Sequence, residues 1–443
     1  MFVTKVRAAL VIITPKDRMN SKPSLADKLK SLGVKKGIPP LSQGKPFDQR
    51  FDELSAATQG KPGLPTIDSV VRGSFLPTPR GEVFAAEQTF PQGHQYGNSS
   101  LLSTFPLSLI AQWASDEKVS SLPVSAFAFL DTETSGLSGG TGTYAFLVGV
   151  ARFVDDQFVL KQFFMRDPAE EAAVLDGVAN FLAPCEVLVT FNGKAFDAPL
   201  LRTRYKLHDT PCPFDGYSHL DLLPLARRLW RDRLESRALK YLEEHVLGLK
   251  RSSEEVPGYE IPWLYFDYLR TGDATPLAGV FYHNAMDVVA MAALLAHMNE
   301  MIENPYDGKV QHGLDFVALG KLFEDMGRRE EAARLYERGL ESPMGEADFH
   351  VAVRRLSILQ KKRGDYAEAV RLWKKAAKAG HIYAHIELAK YHEHKMRDVN
   401  AALKWTESAR KQAERADLPA YERKHWLEEI AHRLARLERK DGI

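Results

Sequence analysis

Cysteine is nearly absent: 443 residues hold two, Cys185 and Cys212. So few leave no disulfide framework, and without a Cys-x-x-Cys pair there is no thiolate zinc pattern; free thiols in a reducing cytoplasm are the simplest reading. Long apolar runs are also missing near the start. Ala8 to Ile13 is too short for a membrane span or a secretory h-region, so a membrane role is not expected. Residues 1–18 differ in character from the rest of the amino-terminal segment, and Met19 is a candidate start, checked by the intact mass of the native protein. Net charge is small, at +1. It is strongly segregated, however. Residues 1–45 carry ten Lys/Arg against two Asp/Glu, and 354–440 carry 22 against 12, which leaves 46–353 near −16. An acidic centre between basic arms suits cation binding in the middle and a polyanion at the edges, although solvated basic helix faces give the same count.

What is present is an ordinary globular composition, 44% hydrophobic and 26% charged, enough for a sizeable core. Residues 1–70, rich in Lys, Gly, Pro and Ser, read as a basic, largely disordered arm with one short amphipathic helix near Ser24 to Leu32. Residues 71–120 read as an extension packed on the next domain. From residue 121 to 304 the pattern is α/β with a mixed sheet and flanking helices. Its strands are expected at Ala126–Leu130, Tyr144–Phe153, Gln157–Met165, Glu186–Phe191 and His219–Leu222, and its helices at Pro168–Leu182, Ala198–Leu207, Leu225–Arg233 and Val280–His297. Three strands followed by alternating helices and strands is the order of the RNase H-like fold. Residues 305–443 turn wholly helical. Three helix–turn–helix units align on Ala332, Ala369 and Ala402, spaced by 37 and 33 residues. That period resembles tetratricopeptide (TPR-like) repeats.

Four acidic motifs fall where strands end or helices begin. Asp131 and Glu133 are two apart on a strand, so alternation puts both carboxylates on one face. Such a pair repels unless a cation sits between its members. Asn192 to Asp197 opens a helix after a strand, and Asp197 is either a helix cap or a site acid. Asp221, at another strand end, carries the same ambiguity. His283 and Asp287 share one helix face that runs on into apolar residues, where a lone carboxylate would be costly. Asp131, Glu133, Asp197 and Asp287 offer only hard oxygen ligands. That selects Mg²⁺ or Mn²⁺, and a pair of such ions suits phosphodiester hydrolysis. Asn192 and Lys194 are candidate phosphate contacts. Gly136, Gly139, Gly140 and Gly142 lack a P-loop ending and read as a turn. Tyr259, Trp263, Tyr265, Phe266 and Tyr268 read as packing, with base stacking as the alternative.

This set resembles the DEDD superfamily of 3′–5′ exonucleases: D-x-E at Asp131/Glu133, N-x-x-x-F-D at Asn192/Phe196/Asp197, and an aromatic or His with Asp at Tyr282/His283/Asp287. More narrowly it is similar to bacterial YprB-type RNase H-like proteins, through Asp131 to Leu137, Phe191 to Lys194, Pro257 to Pro262 and His283 to Asp287. The resemblance spans roughly 75–440. It implies a metal-dependent 3′–5′ exonuclease acting on single-stranded DNA or RNA ends, with a helical module for a protein partner. In the superfamily a catalytic Tyr lies four residues before the last Asp and a catalytic His five. Here His283 is four before and Tyr282 five before. Helix geometry favours His283, and imidazoles titrate near neutrality, with Tyr282 held in reserve. A structure-specific endonuclease and an inactive adaptor are the rival expectations.

Overall fold

A computed structural model describes residues 63–91, 93–136, 142–253, 255–415 and 417–441. The expected arm helix, Met19 and most of the Gly-rich turn lie outside these residues. The seven strands of the main sheet are β1 (Gly73–Thr78), β2 (Gly81–Pro91), β3 (Phe127–Thr134), β4 (Ala145–Val154), β5 (Gln157–Phe164), β6 (Val187–Thr190) and β7 (Ser218–Asp221). They lie in the order β1-β2-β5-β4-β3-β6-β7. The first five in that row pair antiparallel, and β3-β6-β7 run parallel. Numbering only helices of nine residues or more, α1 (Glu171–Leu182) crosses from β5 to β6 and α2 (Asp197–Leu207) from β6 to β7. Then come α3 (Leu222–Trp230), α4 (Ile261–Thr271) and α5 (Leu277–Glu303).

The expected mixed sheet is therefore present, with one addition. Residues 71–120 do not merely pack on it; β1 and β2 widen it by two strands. The alternation read at Val83–Phe90 was weak because Val83 to Ala86 is buried throughout, covered on both sides rather than one. Phe127 and Phe129 on β3 pack with Val187, Val189 and Leu220 beneath α3 and α5. On the opposite side Glu171 of α1 takes Arg204 and His208 from the end of α2, which ties those helices together. Helix α4, which starts at Ile261 just before Pro262, was not expected from the sequence. Pro262 sits in its first turn, where a missing N–H costs nothing. Tyr265 then stacks on Phe146 of β4 at 4.0 Å.

Helix α5 is long and apolar enough to cross a bilayer by length and composition. Its apolar surface is spent inside the fold, from Leu277 through Ile302.

After α5 the chain is all-helical: α6 (Gly313–Asp325), α7 (Arg329–Leu340), α8 (Glu346–Arg363), α9 (Tyr366–Lys378), α10 (Ile382–Tyr391), α11 (Val399–Arg415) and α12 (Ala420–Asp441). The three aligned turns are equivalent in backbone as well as sequence. Gly327, Gly364 and Arg397 all adopt left-handed φ, at 78°, 86° and 55°. Glycine does this without a Cβ penalty, so Arg397 is the strained member of the set. Ala332, Ala369 and Ala402 are each fully buried, where the small side chain lets paired helices approach.

The helical region shares one continuous core with the sheet domain, running from Leu229 and Trp230 to Leu319, Leu322 and Phe323. Its rim carries ion pairs between α3 and α6 or their flanks: Arg233–Asp315 at 2.7 Å, Lys321–Asp232 at 2.6 Å, and Arg228–Asp325.

Candidate active site

The D-x-E pair sits at the carboxyl end of β3, on the face begun by Phe127 and Phe129, and the ladder shifts register just after Glu133. A bulge there ends regular pairing and re-aims the side chains at the strand mouth. Asp131 stands opposite Gly149 on β4. Above them lies Asn284 of α5, fully buried. Its Nδ2 donates to Asp131 Oδ2 at 2.9 Å, and its Oδ1 accepts from Gln162 Nε2 at 3.0 Å.

Asp197 is the first residue of α2, and Thr132, between the two β3 acids, donates its hydroxyl to it. The loop that delivers Asp197 is clamped by Asp221. Both Asp221 oxygens are taken by backbone N–H groups: Asn192 at 2.8 Å, Leu223 at 3.0 Å and Lys194 at 3.2 Å. Asp221 thus caps α3 and shapes the loop; its oxygens are engaged there rather than offered to an ion. Asn192 has φ 69°, and a Cβ at Gly193 would fall 2.5 Å from Thr190 Cβ, so the Asn-Gly pair is what lets the loop fold so tightly. Asn192 bonds Asp221 through its backbone N–H, and Lys194 is exposed.

Asp287, on α5, meets Arg251. His283, one turn earlier, places Nε2 3.6 Å from Asp287 Oδ2 and Nδ1 3.4 Å from Glu255 Oε1. The Tyr282 hydroxyl instead accepts from the Ser252 N–H at 3.1 Å.

The electrostatics show how these acids affect one another. Burial, then Asp287, Glu133 and Asp197, pushes the Asp131 carboxyl well above its usual range, against the Asn284 bond. Burial, then Asp287 and Asp197, pushes Glu133 up to about 8, against the pull of Arg251. Burial also raises Asp197, opposed by its bond from Thr132. Arg251 is the one Arg or Lys side chain paired with the four acids among the described residues. One guanidinium does not balance four carboxylates, and the all-oxygen donor set fits a hard divalent cation. As they stand, no three His, Cys, Asp or Glu side chains among the described residues converge closely enough to cage an ion. Asp287 is turned to Arg251 and Asp131 to Asn284.

Sequence reasoning missed Arg251 and its supports. Arg251 comes after a π-helical turn (Glu243–Leu247) and a left-handed Gly248. Its Nε donates to Glu243 Oε2 at 2.9 Å and its Nη1 to Glu255 Oε1 at 3.1 Å. Tyr96 donates its hydroxyl to Glu243 from the short hairpin Gln95–Tyr96/Ser99–Ser100. No periodicity links positions 96, 243, 251, 255 and 287, so nothing in the sequence pointed to this network. The aromatic set also divides. Tyr265 is core, whereas Tyr259 and Trp263 are 67% and 64% exposed beside the Gly258 loop that covers His283. Phe196, next to Asp197, is 61% exposed.

Residues 128–299 match a family model of the RNase H superfamily, which covers the whole constellation on β3, α2 and α5. The chain is 36% identical over 319 residues to the uncharacterized protein YprB of Bacillus subtilis (strain 168), spanning 70% of this chain and 74% of that protein. It belongs to the YprB family of RNase H-like proteins. A family B DNA polymerase from the hyperthermophilic archaeon Pyrobaculum calidifontis aligns at 18% identity and a TM-score of 0.30, over 45% of this chain and 29% of the polymerase, a likeness too loose to argue from.

Proposed function

We propose that this protein is a divalent-cation-dependent nuclease of the cytoplasm that removes nucleotides 3′ to 5′ from single-stranded DNA or RNA ends. The observation that carries the reading is the electrostatic coupling of Asp131 and Glu133 to Asp287 and Asp197, with Asp131, Glu133 and Asp197 pushed toward protonation by burial first, and Asp131 and Glu133 further by Asp287. Such a set holds its charge only with added cations. Bound Mg²⁺ or Mn²⁺, as a pair, would stabilise the attacking and leaving oxygens of the phosphodiester.

The chain's own residues supply the rest. Asn284 and Thr132 orient Asp131 and Asp197. His283 takes the proton of the attacking water, with Glu255 and Asp287 beside it. Tyr282 is the lesser candidate, since its hydroxyl is turned to Ser252. His283→Ala is expected to cost about 10²-fold in turnover or more. Tyr282→Phe is expected to cost little, and the reverse pattern would transfer the role to Tyr282. Phe196, Tyr259 and Trp263 offer exposed faces on which bases can stack. Asn192 and Lys194 flank the path of the backbone phosphates. The three helix hairpins are read as TPR-like repeats that bind a protein partner, supported by their equivalent left-handed turns and buried alanines.

The deciding experiment uses 5′-labelled single-stranded DNA and RNA with Mn²⁺, wild type beside Asp131→Ala. A ladder shortening from the 3′ end and absent in the mutant supports the exonuclease. Cutting of a circular strand points to an endonuclease. The Arg251–Asp287 pair favours a second reading, a site closed to metal in a protein that works as an adaptor; wild type that cleaves nothing would establish it.

A further inference from the structure

One polar side chain interrupts an apolar face of β5. Phe158, Leu160, Gln162 and Phe164 alternate onto that face, and all four are buried, Gln162 at 1% exposure. A buried amide is costly unless its groups are bonded, so a glutamine in this row needs a reason.

The pairing register supplies one. Asp131 on β3 stands opposite Gly149 on β4, and Gly149 stands opposite Gln162 on β5. Directly opposed residues share a face, so the Asp131 and Gln162 side chains rise on the same side of the sheet with a glycine between them. Two strand spacings come to about 10 Å, too far for the two to touch. Gly149 leaves a gap, and the Asn284 amide enters it from α5, where a Cβ would fall 2.2 Å from its Oδ1. The amide reaches both neighbours. Its Nδ2 donates to Asp131 Oδ2 at 2.9 Å, and its Oδ1 accepts from Gln162 Nε2 at 3.0 Å.

The two ends of an asparagine amide are alike in shape, so packing does not decide which end meets Asp131. The decision is made one residue further along. Gln162 Nε2 also donates to the Phe281 carbonyl at 2.8 Å. A carbonyl only accepts, so the Gln162 group beside it is the NH₂. That NH₂ calls for the Asn284 oxygen, which turns the Asn284 NH₂ to Asp131. A reversed Asn284 would set two NH₂ groups against each other and a carbonyl oxygen against the carboxyl group.

We propose that Gln162 is a positioning residue: anchored to the Phe281 backbone, it fixes the Asn284 amide and through it Asp131, which it does not touch. The consequence for turnover rests on the proposed nuclease reading; the geometry does not.

The test is the crystal structure of the full-chain Gln162→Met variant. Methionine keeps the length, suits the apolar neighbours and removes both amide atoms. The freed Asn284 amide is expected to withdraw from Asp131, opening the 2.9 Å bond beyond hydrogen-bond reach. An Asn284–Asp131 bond unchanged in the variant overturns the proposal. Should the variant fail to fold, neutron diffraction from deuterated wild-type crystals decides. Deuterons are expected on the Asn284 atom that faces Asp131; deuterons on the atom that faces Gln162 overturn it. The kinetic arm uses a labelled single strand. Gln162→Met is expected to lower kcat about tenfold or more with KM unchanged, and to cost nothing further in an Asn284→Ala background. A wild-type kcat, or losses that simply multiply, overturn the positioning role. If wild type cleaves nothing, the nuclease reading falls and the diffraction results still decide this one. If wild type cleaves and Asn284 stays in place without Gln162, this one falls alone.

Discussion

Gly149→Ala is the sharpest single perturbation of the site, because it touches none of the acids. Gly149 faces Asp131 across the β3–β4 ladder. A Cβ there would fall 2.2 Å from Asn284 Oδ1 and 2.9 Å from its Cγ. Asn284 is fully buried on α5 and has nowhere to retreat. Overpacking of this kind costs about 1–3 kcal/mol. Displacing the amide also strains the 2.9 Å bond to Asp131 and the 3.0 Å bond from Gln162. A hydrogen bond to a charged group contributes about 1.5–3 kcal/mol. The combined loss is then about 2.5–6 kcal/mol, a large share of the roughly 5–15 kcal/mol that holds a domain folded. In whatever fraction stays folded, Asp131 is misplaced, and a shift near 1 Å costs about 10²-fold in rate. Urea unfolding followed by tryptophan fluorescence reads the first effect, and release of nucleotides from a labelled strand the second. Gly93→Ala is the control, since a Cβ there meets nothing within 4 Å. If Gly149→Ala unfolds at the wild-type urea midpoint and cleaves at the wild-type rate, the argument from register and Asn284 is refuted.

The same contacts dictate other outcomes. Glu133 is lifted to about 8, so without metal its contribution to stability is fully present below the ordinary glutamate pKa and is lost as pH rises through about 8. In EDTA the melting temperature should fall from about pH 4.5 to about pH 8 and level off above it. Added Mn²⁺ should abolish the fall, because the ion binds the deprotonated form; an EDTA profile flat across that range would contradict the site's electrostatics. Arg233→Ala leaves Asp315, 3% exposed, without its partner, and should cost about 3 kcal/mol while unfolding stays a single transition. Two separate transitions would mean that the helical region folds apart from the sheet. Trp263→Ala should raise KM for a single strand by the equivalent of about 1–3 kcal/mol with kcat little changed; an unchanged KM removes Trp263 from the substrate path.

The legible parts of this molecule are those governed by local periods. Period-two alternation put Asp131 and Glu133 on one face, and the i,i+4 rule put His283 beside Asp287; both hold in the structure. The strands and helices from β3 to α3 lie within a few residues of where apolar patterning placed them. Where a strand is covered on both faces, as at Val83–Ala86, the alternation vanished and β2 was read only weakly. The two prolines near α4 hid a helix because one of them occupies its first turn. Asp221 carried an acid's spacing but serves three backbone N–H groups, a distinction that only the loop's tight path reveals. Arg251 was invisible for a deeper reason. Its partners come from a π-helical turn, a loop and α5, a hairpin tyrosine braces one of them, and only the tertiary fold brings them together.

The join between the sheet domain and the helical array has a mechanical consequence. Only nine residues, 304–312, separate α5 from α6, and Lys309 within them is pinned to Glu300 at 2.9 Å and to the Asn98 carbonyl at 3.1 Å. With Trp230 and Phe323 in one core, the array is a bracket rather than a tether. A molecule seated on its far hairpins would stand at a set distance and angle from Asp131.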